Sequence, residues 1–238
     1  MPMVMPKLDL QSRYDYETHY HLTLEAGRFG KALAHIEAFK MTQEIPGVII
    51  ETGVCKGTSL CRFAMLREVL GNYSLAKIIG FDIFGEEYPD TEYEEDKEQR
   101  NHWIDTEAGV SISPEQLSEI FAHMGVENFE LIKGDINVTV PKYAEEHKGL
   151  KICLLNIDCD FVEPTYTTLE HFYDLVMPGG VILLDNYAGE GSTADSFYGG
   201  HSYHGDTKGV DKFFQDRGIQ PNILRFPWVC RPCYIIKE

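Results

Sequence analysis

Residues 151–187 read KICLLNIDCDFVEPTYTTLEHFYDLVMPGGVILLDNY, in which two apolar runs enclose one segment of helical pattern. The first run, KICLLNID (151–158), is hydrophobic almost throughout, as expected for a strand that is covered on both faces. The segment after Pro164 repeats apolar residues on one helical face, and MPGG (177–180) is predicted to end it. VILLDNY (181–187) is the next predicted strand. A strand, a helix and a strand in this order are typical of a parallel sheet.

The same alternation of strand and helix patterns precedes this region. Earlier apolar runs predict the strands GVIIETG (47–53), KIIGFDIF (77–84) and FELIKGDI (129–136). Helical patterns are found after Gly57 and in the segments 113–125, 139–147 and 208–217. NILRF (222–226) and CYIIKE (233–238) are predicted to form a closing antiparallel pair. The alternation therefore predicts an α/β fold, with a mostly parallel sheet and helices on both of its faces.

No low-complexity linker or internal repeat divides the chain, so we expect a single domain over residues 1–238. Residues 1–46 have a helical pattern around 30–43 and are predicted to form a cover over the sheet edge or the site. Residues 85–112 are acidic and lack a strand pattern, which predicts a loop or lid after the second strand. Residues 189–209 are rich in glycine and predict a second loop, placed to contact a substrate.

The charge balance argues against several classes of partner. The chain has 21 basic and 38 acidic residues, a formal net charge of −17, and such a surface repels nucleic-acid phosphates and anionic lipids. No apolar run reaches the ~20 residues that a membrane helix needs, and the N-terminus lacks the pattern of a secretory signal. We therefore expect a cytoplasmic protein without nucleic-acid or membrane partners.

The six cysteines are too few and too scattered for a disulfide scaffold in a chain of 238 residues. Cys230 and Cys233 have the CxxC spacing of half a zinc site, and no second pair completes it. We predict that both are reduced thiols beside the last strand, and the sequence indicates no role for them.

Acidic residues follow every predicted parallel strand. In an open parallel sheet, ligands bind at the carboxyl ends of the strands, so the residues there define the candidate site. These residues are Glu51, Thr52, Gly53, Gly57, Asp82, Phe84, Gly134, Asp135, Asp158, Asp160, Asp185 and Asn186. The solvation of a loop explains one acid at one strand end, but acids at five strand ends together favour a binding site.

The turn after the first strand, ETGVCKGTS (51–59), has two glycines at a spacing of Gly-x-x-x-Gly. Gly53 permits a tight turn, and Gly57 lets a helix start close to a ligand. The turn is not the GxGxxG of dinucleotide-binding proteins, and the carboxylate of Glu51 would repel a phosphate and suit a cationic ligand. Asp82, after the next strand, is placed to accept hydrogen bonds from two ribose hydroxyls. The alternatives are a purely structural turn and an aspartate that caps its own loop.

Asp158, Asp185 and Asn186 are predicted to lie at the tips of two neighbouring strands. Their three hard oxygen ligands, two of them charged, suit a divalent cation such as Mg²⁺. The alternative is a set of turn-forming Asp and Asn residues. Their number and position favour the metal site.

Four motifs follow one another along the chain: ETGVCKGTS (51–59), FDIFGEEYPD (81–90), LIKGDINVTVP (131–141) and LLNIDCDFVEPTYTTLEHFYDLVMPGGVILLDNY (154–187). Together they resemble the macrocin O-methyltransferase family, over about residues 46–217. The resemblance implies a Rossmann-like class I methyltransferase fold, with a seven-stranded sheet whose last strand is antiparallel. It also implies an enzyme that depends on S-adenosylmethionine and Mg²⁺ and methylates a hydroxyl of a sugar, in a glycosylated natural product or a polysaccharide precursor.

The resemblance also implies roles for the matching residues. The implied cofactor-binding residues are Glu51, Thr52, Gly53, Gly57, Thr58 and Ser59 for the methionine part, Asp82 for the ribose, Gly134, Asp135 and Ile136 beside the adenine, and in addition Phe84 and Asp158. Asp158 and Asp185 are implied metal ligands. The family often has a second aspartate where this chain has Asn186, and the resulting set is similar to the metal site of catechol O-methyltransferase. Asp160 matches the general base of the family.

Methyl transfer from a sulfonium requires the protein to align an acceptor oxygen with the methyl carbon. A metal that is chelated by two substrate oxygens lowers the pKa of a hydroxyl, and a nearby base removes its proton. We predict that Asp160 is this base. His201 and His204, in the glycine-rich loop, are the alternatives.

Two other functions are compatible with the same sheet. An NAD(P)-dependent oxidoreductase is disfavoured because GxGxxG is missing. A non-catalytic cofactor-binding homologue is disfavoured by the presence of both Asp158 and Asp160. The family resemblance further implies a small sugar or glycoside substrate and a homo-oligomer, a dimer or larger.

Overall fold

A computed structural model of the chain describes residues 6–70, 76–105, 111–187, 204–228 and 231–238. The α-helices in these ranges are α1 (Arg13–Thr23), α2 (Ala26–Met41), α3 (Thr58–Val69), α4 (Glu94–Asp105), α5 (Pro114–Met124), α6 (Ile136–Glu146), α7 (Val162–Phe172) and α8 (His204–Arg217). The strands are β1 (Val48–Thr52), β2 (Ile78–Asp82), β3 (Phe129–Lys133), β4 (Ile152–Ile157), β5 (Val176–Leu184), β6 (Leu224–Arg225) and β7 (Cys233–Ile236). Short 3-10 helices span Leu10–Ser12 and Tyr173–Leu175.

The strands of the described ranges form one seven-stranded sheet in the order β3-β2-β1-β4-β5-β7-β6. All pairs among β1 to β5 are parallel, whereas β7 runs antiparallel to both β5 and β6. This confirms the predicted α/β fold, its closing antiparallel pair and its antiparallel last strand. The strand order reverses between β1 and β4, and ligands of such sheets bind in the crevice beyond the carboxyl ends at this point.

The sheet has a hydrophobic core on each face. Successive residues of a strand point to opposite faces, so Ile49 and Leu154 pack with α2, α3 and α5, while Ile50 and Leu155 pack with α6 and α7. Each fully buried side chain of this kind stabilises the fold by about 1.5–3 kcal/mol. Because both faces are covered, β1 and β4 are apolar in sequence without alternation.

Helix α5 begins and ends as the sequence predicts. The Ser113 hydroxyl accepts a hydrogen bond from the backbone N–H of Gln116 (3.1 Å), and the Gln116 side chain accepts one from the N–H of Ser113 (3.0 Å). Gly125 ends the helix in the left-handed conformation, with φ of +70°. The reciprocal cap and the glycine confirm the predicted segment.

The boundary between α7 and β5 differs from the prediction. MPGG (177–180) was expected to terminate the helix, but α7 ends at Phe172 and the four residues belong to β5. The N–H of Gly179 donates to the carbonyl of Lys237 (2.7 Å), and the N–H of Lys237 donates to the carbonyl of Gly180 (2.9 Å). Pairing with the C-terminal residues therefore extends the strand, and local pattern does not show this.

The acidic segment 85–112, predicted to be a loop or lid, contains helix α4. The carboxylate of Asp96 accepts the backbone N–H of Val162 (2.7 Å), and Gln99 donates to the carbonyl of Asp160 (3.4 Å). Contacts with the loop after β4 thus support a helix that has no apolar face of its own, and the role of the segment as a lid stays a prediction.

The N-terminal segment contributes one helix to the core. α2 buries Ala34, Ala38 and Phe39 against the sheet, whereas α1 buries no residue. Among the described helices, none is both long and apolar enough to cross a lipid bilayer. Cys233 is a buried free thiol and the first residue of β7, and Cys230 lies outside the described residues.

Candidate active site

The turn between β1 and α3 passes very close to the end of β4. Gly53 has φ of +89°, and a Cβ atom built on it would lie 1.9 Å from the carbonyl oxygen of Asp158. Gly57 has φ of +78° and is the residue from which α3 begins. Residues with side chains rarely adopt these conformations. The close approach at Gly53 brings the end of β1 against the strand end that carries Asp158.

Two clefts open beyond the carboxyl ends of the strands and meet at Gly53, which lines both. The first has a volume of about 610 Å³, and its described lining includes Asp82, Tyr88, Gly134, Asp135, Ile136 and Phe161. The second has a volume of about 1530 Å³, and its described lining includes Arg28, Lys31, Lys56, Thr58, Ser59, Arg62, Asp158, Asp160, Asn186 and Arg231. The residues predicted for the nucleoside therefore line one cleft, and residues predicted for the methionine part and the metal line the other.

Several predicted residues lie behind these clefts. Five of the predicted residues line neither cleft: Glu51, Thr52, Gly57, Phe84 and Asp185. The side chains of Glu51, Thr52 and Asp185 are fully buried. Their roles as site residues therefore stay predictions.

Asp82 organises the first cleft. One of its carboxylate oxygens accepts the backbone N–H of Cys55 (2.8 Å), and the other accepts that of Phe84 (2.7 Å). Burial raises the pKa of Asp82, although these hydrogen bonds oppose the shift. The carboxylate thus holds the loop after β1 and the loop after β2 together, as the alternative of a loop-capping aspartate predicts. It also lines the cleft, where a further donor can reach it.

Glu51 lies in the interior of the sheet. Its Oε1 accepts a hydrogen bond from the Asn156 side chain (2.8 Å), while Oε2 has no hydrogen-bond partner among the described residues. Burial raises the pKa of Glu51 to about 8, so the carboxyl is largely protonated at neutral pH. The sequence-based expectation of a carboxylate that repels phosphate assumed an ionised, accessible group, which Glu51 is not in this structure.

Three carboxylates converge beyond β4 and at the start of α8. Asp158, Asp160 and Asp206 each offer an oxygen, and these oxygens lie within 4.8 Å of one another. Asn186 links them, because its Nδ2 donates to Asp158 (2.7 Å), Asp160 (2.7 Å) and Asp206 (3.2 Å). We call these four residues the acid cluster. In this arrangement Asn186 acts through its nitrogen, so its role as an oxygen ligand stays a prediction.

Asp185 is fully buried and is held by a chain of side chains. Nη1 of Arg62 lies 2.9 Å from Nδ1 of His35, and Nε2 of His35 lies 2.8 Å from Oδ1 of Asp185. A guanidinium only donates, so Nδ1 accepts and the proton of the neutral imidazole is on Nε2, from which it is donated to Asp185. Burial lowers the pKa of His35 to about 4, which agrees with a neutral ring.

Lys31 connects Asp185 to the acid cluster. Its ammonium group lies 3.0 Å from Oδ2 of Asp158 and also forms an ion pair with Oδ2 of Asp185. Burial alone would lower the pKa of Lys31, but the charges of the two aspartates outweigh it and raise the pKa above its ordinary value. Burial would likewise raise the pKa of Asp185, and the charge of Lys31 and the hydrogen bond from His35 instead hold it below its usual range.

The donor set fits a divalent cation. Oδ2 of Asp185 is buried and meets the ammonium group of Lys31, and Oδ2 of Asp158 meets the same ammonium group. Two predicted metal ligands thus converge on one positive charge. Like-charged carboxylates at such short separations repel each other unless a cation or a proton is shared among them. Hard carboxylate oxygens are the ligands that Mg²⁺ prefers.

Asp160 reaches the acid cluster through an unusual backbone conformation. β4 ends at Ile157, and Asp160 has φ of +65°. Strand alternation therefore does not explain why Asp158 and Asp160 face the same cleft, and the left-handed residue does. Burial and the charges of Asp158 and Asp206 raise the pKa of Asp160 well above its usual range.

The two alternative bases are not placed by the structure. His201 lies outside the described residues, together with most of the predicted loop 189–209. His204 is the first residue of α8, and its side chain is outside the described part of the chain. The prediction that one of them acts as the base stays untested.

Four site residues were not found from the sequence: Lys31, His35, Arg62 and Asp206. Lys31 and His35 are one helical turn apart on α2, a spacing that places two polar side chains on one face. That signal becomes informative only when the helix is known to lie against the strand ends. Asp206 falls in the segment predicted to be a substrate loop, where an acid has no distinguishing pattern.

The seven-stranded sheet with this strand order, and with ligand clefts at the reversal between β1 and β4, is the class I methyltransferase fold. The profile of the macrocin-O-methyltransferase (TylF) family matches residues 26–214. The chain belongs to this family, and the protein is an O-methyltransferase. Membership of this family argues against the alternative that the protein is an NAD(P)-dependent oxidoreductase.

Individual relatives are distant. The chain is 26% identical to mycinamicin III 3''-O-methyltransferase of Micromonospora griseorubida over 184 residues, which are 74% of this chain and 69% of that protein. Among solved structures, the calicheamicin methyltransferase CalS11 aligns with a TM-score of 0.69 and 21% identity, covering 96% of this chain and 86% of CalS11. The O-methyltransferase NovP aligns with a TM-score of 0.67 and 18% identity, covering 87% and 79%. These structures support the fold.

Proposed function

We propose that the protein is an S-adenosylmethionine-dependent and divalent-metal-dependent O-methyltransferase. Its acceptor is a hydroxyl of a sugar, in a glycosylated natural product or a polysaccharide precursor. The observation that carries this proposal is the junction at Gly53, where a cleft suited to a nucleoside opens into a second cleft that ends at the acid cluster. A methyl donor bound across the junction places its reactive sulfonium beside the carboxylates.

The first cleft suits adenosine. The ring centroids of Tyr88 and Phe161 lie 6.2 Å apart on its wall and offer apolar surface to a base. Asp82 accepts the backbone N–H groups of Cys55 and Phe84 and, at Oδ1, the Ser111 hydroxyl (3.4 Å), and its carboxylate lines the cleft where a ribose hydroxyl can reach it. Gly134 has φ of +135° and leaves room beside the base, while Asp135 is held by the N–H of Asn137 (2.9 Å) at the start of α6.

The second cleft suits the methionine part and the acceptor. Its described lining carries five basic side chains, those of Arg28, Lys31, Lys56, Arg62 and Arg231, and two acidic ones, those of Asp158 and Asp160. In a chain with a net charge of −17 this is a local reversal of sign. Positive charge here would attract the carboxylate of the methionine part and electron-rich acceptor oxygens.

Asp158, Asp185 and Asn186 would hold the divalent cation, for which Mg²⁺ is the natural candidate. When bound, the cation supplies Lewis acidity, which lowers the pKa of an acceptor hydroxyl. The protein itself contributes by orienting the carboxylates that would bind the cation. The hydrogen bond from His35 holds Oδ1 of Asp185, and Oδ2 meets the ammonium group of Lys31. Such outer hydrogen bonds fix the geometry of metal ligands.

We assign proton removal to Asp160. Its carboxylate lines the second cleft together with Asp158, and burial with the neighbouring negative charges raises its pKa well above the usual range. A carboxylate whose pKa is raised is a stronger base, and thus better matched to a sugar hydroxyl. The hydrogen bond from Asn186 (2.7 Å) fixes the position of one carboxylate oxygen.

The names of related proteins support a sugar hydroxyl as the acceptor. The relative from Micromonospora griseorubida is a mycinamicin III 3''-O-methyltransferase, and CalS11 is described as a TDP-rhamnose 3'-O-methyltransferase. These names also support the expectation of a small-molecule substrate.

Ligand-dependent melting tests the cofactor. We expect S-adenosylhomocysteine to raise the melting temperature of the protein and NADH to leave it unchanged, since only the former matches two clefts that meet at Gly53. Stabilisation by NADH without stabilisation by S-adenosylhomocysteine would contradict the proposal.

Substitution of the base tests the mechanism. Asp160→Asn keeps the shape of the side chain and removes its basicity, so we expect loss of methyl transfer with unchanged binding of S-adenosylhomocysteine. His204→Asn is the matched comparison, and we expect it to retain turnover. If the histidine variant alone is inactive, the proton is removed by the histidine. Removal of metal with EDTA should stop methyl transfer, and recovery on addition of MgCl₂ is the check.

A further inference from the structure

The ammonium group of Lys31 occupies the point on which the two acidic metal ligands converge. It contacts Oδ2 of Asp158 at 3.0 Å and forms an ion pair with Oδ2 of Asp185. The Asp185 side chain is fully buried, and the side chains of Lys31 and Asp158 are 21% and 17% exposed. Lys31 is thus an internal positive charge, and not a surface lysine that meets an acid by chance.

The helix that carries Lys31 is held in place independently of this contact. α2 packs on the sheet through Ala34, Ala38 and Phe39, and the indole N–H of Trp228 donates to the carbonyl of Gly30 (3.0 Å). The direction from which the ammonium group approaches the aspartates is therefore set by a packed helix. The long side chain of Lys31 still has room to move, because the second cleft that it lines is open.

A divalent cation and the ammonium group cannot share this position. Two positive charges at contact distance repel strongly in a partly buried site. Oδ2 of Asp185 is fully buried and in contact with the ammonium group of Lys31. A cation that binds both Asp158 and Asp185 must therefore replace the ammonium group at these two oxygens.

We propose that Lys31 competes with the divalent cation for Asp158 and Asp185, and that metal binding displaces its ammonium group into the second cleft. This inference rests on the metal site of the proposed function. Lys31 then lowers metal affinity and neutralises the two acids when no metal is bound.

The competing interpretation is that Lys31 supports the metal site, by positioning the two aspartates for the cation. The two interpretations predict opposite signs. If Lys31 competes, its removal strengthens metal binding, and if it supports, its removal weakens metal binding.

Titration of the full chain with Mn²⁺, after removal of metal by a chelator, tests the inference. Lys31→Met removes the charge with little loss of volume, and Lys31→Gln retains an N–H donor for Asp185, which protects the fold if the methionine variant fails to fold. Arg28→Met is the matched control, because Arg28 is on the same helix and lines the same cleft, and no ion pair or hydrogen bond is found for it among the described residues. Free Mn²⁺ is measured by electron paramagnetic resonance, and the melting temperature is recorded with and without MnCl₂.

We expect both Lys31 variants to bind Mn²⁺ about tenfold more tightly than the wild type, because close charge pairs contribute at least this much. We expect Arg28→Met to change the affinity by less than about threefold, because only long-range charge is lost. Without metal, the Lys31 variants should melt below the wild type, and MnCl₂ should raise their melting temperature by more than that of the wild type.

Unchanged or weaker binding of Mn²⁺ by both Lys31 variants would overturn the competition and leave the metal site intact. Equal gains in Lys31→Met and Arg28→Met would also overturn it, because general charge would then explain the effect. If none of the proteins binds Mn²⁺, both the competition and the metal site are wrong, while the effect of S-adenosylhomocysteine on melting still decides the methyltransferase proposal separately.

Discussion

Substitution of Gly53 by alanine should distinguish two reasons for a glycine at this position. One is the close approach of the turn after β1 to the end of β4, and the other is ordinary backbone strain. In Gly53→Ala, the new Cβ would lie 1.9 Å from the carbonyl oxygen and 2.6 Å from the carbonyl carbon of Asp158. Both are backbone atoms and cannot rotate away. The left-handed conformation, with φ of +89°, costs about 1–2 kcal/mol for alanine, and overpacking adds about 1–3 kcal/mol. We expect a loss of about 2–5 kcal/mol in the free energy of unfolding.

Gly125→Ala is the matched control. Gly125 also has a positive φ, +70°, but a Cβ there meets nothing within 4 Å, so only the conformational cost of about 1–2 kcal/mol applies. Urea unfolding of both variants at pH 7 measures the difference, provided that the m-value is unchanged. Gly53→Ala should also lose affinity for S-adenosylhomocysteine, whereas Gly125→Ala should not. Equal destabilisation of the two variants, within about 0.5 kcal/mol, would refute the close approach as the reason for glycine at position 53.

Three further substitutions test buried polar groups. Burial raises the pKa of Glu51 from 4.5 to about 8, so between these pH values the folded state holds a proton that the unfolded state has released, and stability falls as pH rises. Glu51→Gln removes this dependence, and its unfolding free energy should exceed that of the wild type by roughly 4 kcal/mol at pH 8 but by little at pH 4. The guanidinium of Arg67 is almost fully buried and donates to three backbone carbonyls, so Arg67→Met should lose about 3 kcal/mol in urea unfolding. Arg62→Met frees Nδ1 of His35, and we expect about tenfold weaker Mn²⁺ binding with an unchanged melting temperature in the absence of metal.

Each of these predictions has an outcome that contradicts it. A difference between Glu51→Gln and the wild type that does not grow with pH would show that Glu51 is ionised in the folded state. An Arg67→Met protein as stable as the wild type would mean that water satisfies the carbonyls. Wild-type Mn²⁺ affinity in Arg62→Met would show that the position of Asp185 does not depend on the tautomer of His35.

The outline of the fold could be predicted because it depends on local signals. Apolar runs without alternation mark strands that are covered on both faces, and the cap of α5 is complete within Ser113 to Gly125. Prediction failed where a distant segment determines the structure. MPGG (177–180) becomes strand because Gly179 and Gly180 pair with Lys237.

The same distinction between local signals and distant contacts applies to the residues of the candidate site. Asp158 and Asp160 could be found because they follow an apolar strand, and the sheet brings them to the same edge as Asp185. Strand alternation would place Asp158 and Asp160 on one side only if β4 continued to Asp160. β4 ends at Ile157, and the common orientation instead follows from the left-handed backbone of Asp160.

By itself, the sequence determined the alternation of strands and helices, the glycine turn and the acids at the strand ends, because each of these depends on neighbouring residues and on the period of the backbone. Only the tertiary structure decided which charges meet. Lys31 lies 127 residues from Asp158, and His35 lies 150 residues from Asp185. Contacts over such distances depend on how α2 packs against the sheet, which no local pattern specifies. The electrostatics of the site, and with it the inferred competition between Lys31 and the metal, therefore arise from the packing of one helix.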